Sequence, residues 1–293
     1  MTEPDANFTI TTTADPIESL ELRDHAASSR LVLAPARGGM VTRLQLAGRE
    51  LLFLDEATLR DATKNVRGGI PVLFPSPGKL EADTYRWRDH IGHLKQHGFA
   101  RNASWHVVRS RSVEGASVTL AFEASAETRS AFPWDFCAEY TYTLRERALR
   151  IAMHFTQIGG KNEMPFGAGF HPYFRIPNAA EKSSARIETN ATLAFDNVTK
   201  KTAPLALIDL TATEVDLHLV DHTGDCTLRC RDYGVRLRGS SELSRWVVWT
   251  LAGKDFVCVE PWTCPGNALN TGDSVLTLEP GQSRSLWVEI ALV

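Results

Sequence analysis

Histidine and glutamate, two residue types that move protons, occur in this sequence where the local chain is stiff. In Gly169-Phe170-His171-Pro172-Tyr173-Phe174, His171 lies between a phenylalanine and a proline, and two more aromatics follow. Pro172 fixes its own φ, removes a backbone donor and pushes His171 toward an extended conformation. An imidazole held this way can take up or release a proton near neutral pH. Taken alone, it reads better as a buried histidine satisfied by a carbonyl. In Val259-Glu260-Pro261-Trp262, Glu260 ends an apolar run and precedes a proline. A carboxylate there that is partly buried needs a partner or a raised pKa; one that faces water needs neither.

Three further stretches carry polar groups among stiff or flexible backbone. Arg67-Gly68-Gly69-Ile70-Pro71 leads into Phe74-Pro75. The two glycines permit φ > 0 or a close backbone approach, and the Arg67 fork suits sugar hydroxyls, a carboxylate or a phosphate. It is not a phosphate-cradling P-loop, because that pattern's later glycine and its Lys-Ser/Thr ending are missing. Gln96-His97-Gly98-Phe99-Ala100-Arg101 puts His97 and Arg101 around a glycine and an aromatic, and reads locally as the start of a strand with solvated ends. In Glu214-Val215-Asp216-Leu217-His218, Asp216 and His218 share one face of a strand. The five cysteines form no Cys-x-x-Cys pair, and no histidine pair lies at ligand spacing beside Cys226 and Cys230. This predicts small core residues and no metal site.

The elements that must position these groups are strands. Phe136, Ala138, Tyr140, Tyr142 and Leu144 alternate with polar residues, and after a turn at residues 145–148 Leu149, Ile151, Met153 and Phe155 alternate again. This predicts a hairpin with one buried face. Leu286, Val288, Ile290 and Leu292 repeat the pattern behind Glu279-Pro280-Gly281-Gln282, a type II turn sequence. Residues 245–251 and 256–260 read as two strands joined through Ala252-Gly253-Lys254, and residues 51–59 offer a helical turn. The 293 residues carry 43% hydrophobic and 23% charged residues and a net charge of -3, which suits a globular chain and argues against a nucleic-acid surface. The sequence shows no signal peptide and no apolar run near the ~20 residues of a membrane span, so a cytoplasmic protein is expected. Many short strands with turns between them predict an all-β sandwich or barrel, as one domain over residues 1–293.

In this order, Arg67-Gly68-Gly69-Ile70-Pro71 with Phe74-Pro75, His97-Gly98-Phe99-Ala100-Arg101, Gly169-Phe170-His171-Pro172-Tyr173-Phe174 and Val259-Glu260-Pro261 resemble the aldose 1-epimerase (mutarotase) family, including its hexose-6-phosphate branch. Asp216 fits the pattern more loosely. The resemblance implies a large antiparallel β super-sandwich with a sugar cleft across one sheet, alone or as a weak dimer, and no cofactor. It implies Glu260 as general base at the anomeric hydroxyl and His171 as general acid at the ring oxygen. His97, Arg67, Asp216 and Arg101 would hold the substrate, with Tyr173, Phe174 or Trp262 as an apolar face. Free aldoses and hexose 6-phosphates both remain open. Arg67, Lys79 and Arg101 suit a dianion, whereas the family's phosphate branch usually has threonine where Pro172 follows His171. A non-catalytic carbohydrate-binding protein is the rival of another class. A glycoside hydrolase ranks lower, because it would usually need two carboxylates and only Glu260 stands out.

Overall fold

The computed structural model describes residues 6–176 and 178–293. Three antiparallel sheets dominate it. The first runs in chain order through Phe8–Thr13, Ser19–Asp24, Ser29–Ala34, Met40–Leu46 and Arg49–Glu50. The second has eight strands, in spatial order Arg186–Glu188, Cys226–Arg229, Gly234–Gly239, Ser283–Leu292, Ala148–Gly159, Asp135–Arg145, Ala116–Glu123 and His106–Ser112. The third carries the site. It runs from Lys201–Pro204 through Leu193–Asp196, Glu214–Leu219, Arg245–Leu251, Phe256–Trp262 and Gly169–Phe170 to Val72–Leu73, and Tyr173–Arg175 also pairs with Phe256–Trp262. Of the all-β sandwich or barrel that the alternation predicts, this is the sandwich, in the large form that the resemblance implies.

The hairpin forms with Phe136 opposite Gln157 and Leu144 opposite Leu149, and its tight turn places Glu146 at φ +55°. Along both strands the even positions of one and the odd positions of the other are buried, because successive side chains point to opposite faces. The Pro280-Gly281 turn closes with Gln282 N–H donating to the Glu279 carbonyl and Gly281 at φ +81°.

The strand Phe256–Trp262 is buried at every position. Val257 and Val259 enter the main core. Phe256, Cys258 and Trp262 belong instead to two small clusters on the opposite face, with Tyr173 and with Leu73 and Val247 respectively. That second face is the floor of the cleft. Phe74 anchors the loops above it, packing against Phe99, Phe132, Phe136, Phe155 and Phe166 with ring centroids 5.1–6.4 Å apart. Its carbonyl accepts the Phe99 and Ala100 N–H groups.

Two local expectations shift. In residues 51–59 the helical turn is Glu56–Arg60, capped by Asp55, while Leu52 forms a bridge to Phe174. Residues 97–101 start no strand. His97 and Gly98 both sit at φ +71° in a tight turn, and a short 3-10 helix, Ala100–Asn102, follows.

Candidate active site

Strand register brings the site together. Gly169 pairs with Trp262, and Tyr173 pairs with Cys258. The break at His171-Pro172 lies between these pairs, so His171 stands opposite Glu260. Across the other edge, Val247 pairs with Glu260, His218 with Val247 and Phe195 with His218. One row of side chains therefore crosses the floor from Phe195 to His171. The neighbouring row carries Asp216, Trp249, Cys258 and Tyr173.

His171 is held on both sides. Its backbone N–H donates to the Pro71 carbonyl, and Tyr173 N–H donates to Gly69. Gly69 can run this close only without a side chain: a Cβ there would lie 2.4 Å from the Val41 carbonyl oxygen, and one on Gly68 would lie 2.5 Å from Leu54 Cα. The Gly-Gly pair thus presses residues 69–71 against the His171 segment. The imidazole stacks on Tyr173 at 4.6 Å and meets the edge of Trp249 at 5.6 Å. Its Nε2 lies 3.4 Å from Glu260 Oε1, with the two side chains 12% and 2% exposed. Trp262 Nε1 donates to Glu260 Oε2 at 3.1 Å.

Burial disfavours charge on both members of this pair. It raises the Glu260 carboxyl well above its ordinary 4.5, helped by the Asp216 carboxylate and opposed by the Trp262 hydrogen bond. It lowers the His171 imidazole to about 3, helped by the Arg101 and Arg67 guanidiniums. Each shift favours the neutral form, and at 3.4 Å the two groups titrate as a coupled pair.

His97 is buried, and burial lowers its imidazole well below 6.5, helped by the nearby His171 and Arg101. Its Nδ1 accepts the Gly78 N–H at 3.1 Å, which leaves Nε2 as the protonated nitrogen. The ring meets His171 edge-on at 5.5 Å. Arg101 donates to the Gln96 carbonyl at 2.8 Å. Arg67 is exposed at the rim. Asp216 accepts from Asn197 Nδ2 at 2.7 Å and lies 3.7 Å from His218 Nε2, while Lys200 donates to Asn197. All six residues singled out in the sequence, Glu260, His171, His97, Arg67, Asp216 and Arg101, line one cleft of about 940 Å³.

Asn197, Lys200 and Trp249 also line it and were not legible as site residues. Asn197 and Lys200 follow a four-residue strand, too short to show a pattern. His171, Cys258 and Glu260 each bring one ligand atom within 4.8 Å of the others, a trio with no signature in linear spacing. It could hold a thiophilic divalent cation. The thiol, however, is pushed up by burial and packs in the Tyr173 and Phe256 cluster behind the pair.

A sequence model of the aldose 1-epimerase family matches residues 19–291. The chain belongs to the aldose 1-epimerase family. Among relatives of this epimerase-family chain, a provisionally named glucose-6-phosphate 1-epimerase of Cenchrus ciliaris is 29% identical over 164 residues, 52% of this chain and 46% of that protein. The chain thus spans about half the length of that relative. The uncharacterised YihR protein of Escherichia coli K12 is 23% identical over 75% of this chain and 77% of its own length. The crystal structure of Slr1438 from Synechocystis sp. PCC 6803 superposes with a TM-score of 0.90 at 33% identity, covering 100% of this chain and 98% of that one. A galactose mutarotase-like protein of Clostridium acetobutylicum reaches a TM-score of 0.84 at 18% identity over 99% of each chain, a likeness of fold alone.

Proposed function

We propose that this chain, as one domain, interconverts the α and β anomers of a hexose by acid–base ring opening. Mutarotation takes a proton from the anomeric hydroxyl and gives one to the ring oxygen. It needs an acceptor and a donor within ~3 Å of their protons. The observation that carries the reading is the buried pair at 3.4 Å, Glu260 opposite His171, with burial disfavouring charge on both. In this reading the pair shares one proton. With that proton on Glu260 both groups are neutral. With it on His171, a carboxylate base stands beside an imidazolium acid. The two forms have equal net charge, so sugar hydroxyls entering the cleft shift the proton without drawing one from bulk water.

In this reading Glu260 accepts the anomeric proton and His171 protonates the ring oxygen. His97 offers a neutral Nε2–H to a ring oxygen or hydroxyl. Asp216 accepts from hydroxyls, and Arg67 and Arg101 fix the far end of the substrate. Free aldoses come slightly ahead of hexose 6-phosphates as substrates, although the cations at the rim also suit a phosphate.

The test is exchange NMR of α and β glucose, galactose and their 6-phosphates, with and without the purified protein. Faster interconversion supports the reading. Buffer rates with every sugar would overturn it in favour of a carbohydrate-binding protein. A preference for the phosphates that weakens with salt would reverse the order of substrates.

A further inference from the structure

Trp262 sits two residues after Glu260 on the same face of its strand. Its indole occupies a slot made by two missing side chains. A Cβ on Gly169 would lie 3.0 Å from Trp262 Cδ1, and one on Gly78 would lie 3.1 Å from Cζ3. The His97 and His218 rings meet it edge-on at 5.7 and 5.3 Å. The ring is 5% exposed, so it has little freedom to turn. From this slot Nε1 donates to Glu260 Oε2 at 3.1 Å. Among the described residues this is the one hydrogen bond made to the Glu260 carboxylate. The other oxygen, Oε1, is the one that faces His171.

We propose that Trp262 is a positioning residue for Glu260: its indole N–H holds Oε2 and reserves Oε1 for proton exchange in the cleft. The proposal rests on the reading of Glu260 as the base. A hydrogen bond to a buried carboxylate favours its charged form more than its neutral one. The same contact therefore orients the base and keeps it ionisable. This role differs from that of an apolar platform under the sugar, which would show in substrate affinity alone.

The test is Trp262→Phe, which removes the donor and keeps an aromatic ring. Its kcat and KM for anomer exchange are measured from pH 5 to 9 beside wild type. The expected result is a kcat about tenfold lower near pH 6.5 and a KM within about twofold of wild type. The deficit should shrink as the pH rises, because the limb on which the pair loses its shared proton moves up. If Trp262→Phe loses its cooperative melt, the benzothienyl analogue of tryptophan placed at position 262 fills the same slot with sulfur in place of N–H. The same displaced limb is expected from it. An unchanged kcat profile, or a rise in KM alone, would overturn the proposal while leaving the proposed activity in place. Absence of exchange in the wild-type protein would overturn the underlying reading, and the proposal with it.

Discussion

Replacing Glu260 by glutamine should make the protein more stable and nearly inactive, and the stability gain should depend on pH in a calculable way. Glu260 is 1% exposed and its carboxyl titrates well above 4.5 in the folded chain. A group raised on folding contributes its full stability below the unfolded value and loses it as the pH climbs to the folded value. From pH 4.5 upward the unfolded chain has released this proton while the folded chain still holds it. Each pH unit in that window costs the native protein about 1.4 kcal/mol. Glutamine mimics the neutral acid, still accepts from Trp262 and does not titrate. The lowered cleft histidines act oppositely, losing stability as the pH falls below 6.5; His171 is coupled to Glu260, so the same comparison in a His171→Asn background isolates the Glu260 contribution. Glu260→Gln should therefore gain about 1.4 kcal/mol on wild type between pH 5 and pH 6. With ~2.1 cal/mol/K of unfolding entropy per residue over 293 residues, that is about 2 °C in Tm. Urea melts at the two pH values with a common m-value measure it. Over the same range kcat should fall about 10²–10⁴-fold. A stability difference that stays flat with pH would show that Glu260 is ionised and solvated in the fold. Retained kcat would move the base elsewhere, with Asp216 next in line.

His171→Asn should lower kcat about 10²–10⁴-fold with a near-normal melt, read by anomer exchange and differential scanning calorimetry. The wild-type kcat should follow a bell in pH, falling on the alkaline side as the pair loses its shared proton and on the acid side as it gains a second; a flat profile would contradict a coupled pair. Arg67→Ala and Asp216→Asn should act mainly on KM, because their contacts exist before the transition state, and initial-rate kinetics separate the two effects. Phe74→Ala should cost about 3–5 kcal/mol in urea melts and raise KM as well, since the Phe74 ring packs on Phe99, two residues after His97.

Period-two alternation made the fold readable, because the long hairpin strands bury one face only and turns such as Pro280-Gly281 carry their own chemistry. Short elements were less legible. Ala126–Ala131 is held by a Ser125–Thr128 capping box, and in a chain of strands so brief a helix has no room for a 3.6-residue pattern. The candidate residues could be named from local stiffness and family resemblance. Their mutual geometry could not, because it depends on pairing between strands nearly ninety residues apart, as with Tyr173 and Cys258. His97 shows the limit clearly. Its turn looked like a solvated end, yet the Gly78 and Phe74 contacts draw it under cover. Asn197 has no local signature, and its place in the site follows from the hydrogen bond it donates to Asp216, nineteen residues on.

The facing of His171 and Glu260 is fixed by the hydrogen-bond ladder on either side of Pro172, whereas Arg67, Lys79 and Lys200 stand on loops around the rim. The two parts of the cleft therefore answer to different rules. A loop can lengthen or exchange a charge at small cost to folding, but a strand cannot slip by one position without turning its side chains to the opposite face. Substrate preference can thus drift through the rim while the distance over which a proton travels stays constant. A laboratory search for activity on a new sugar should accordingly vary the loops at residues 65–67, 79–82 and 197–200 and leave the paired strands untouched.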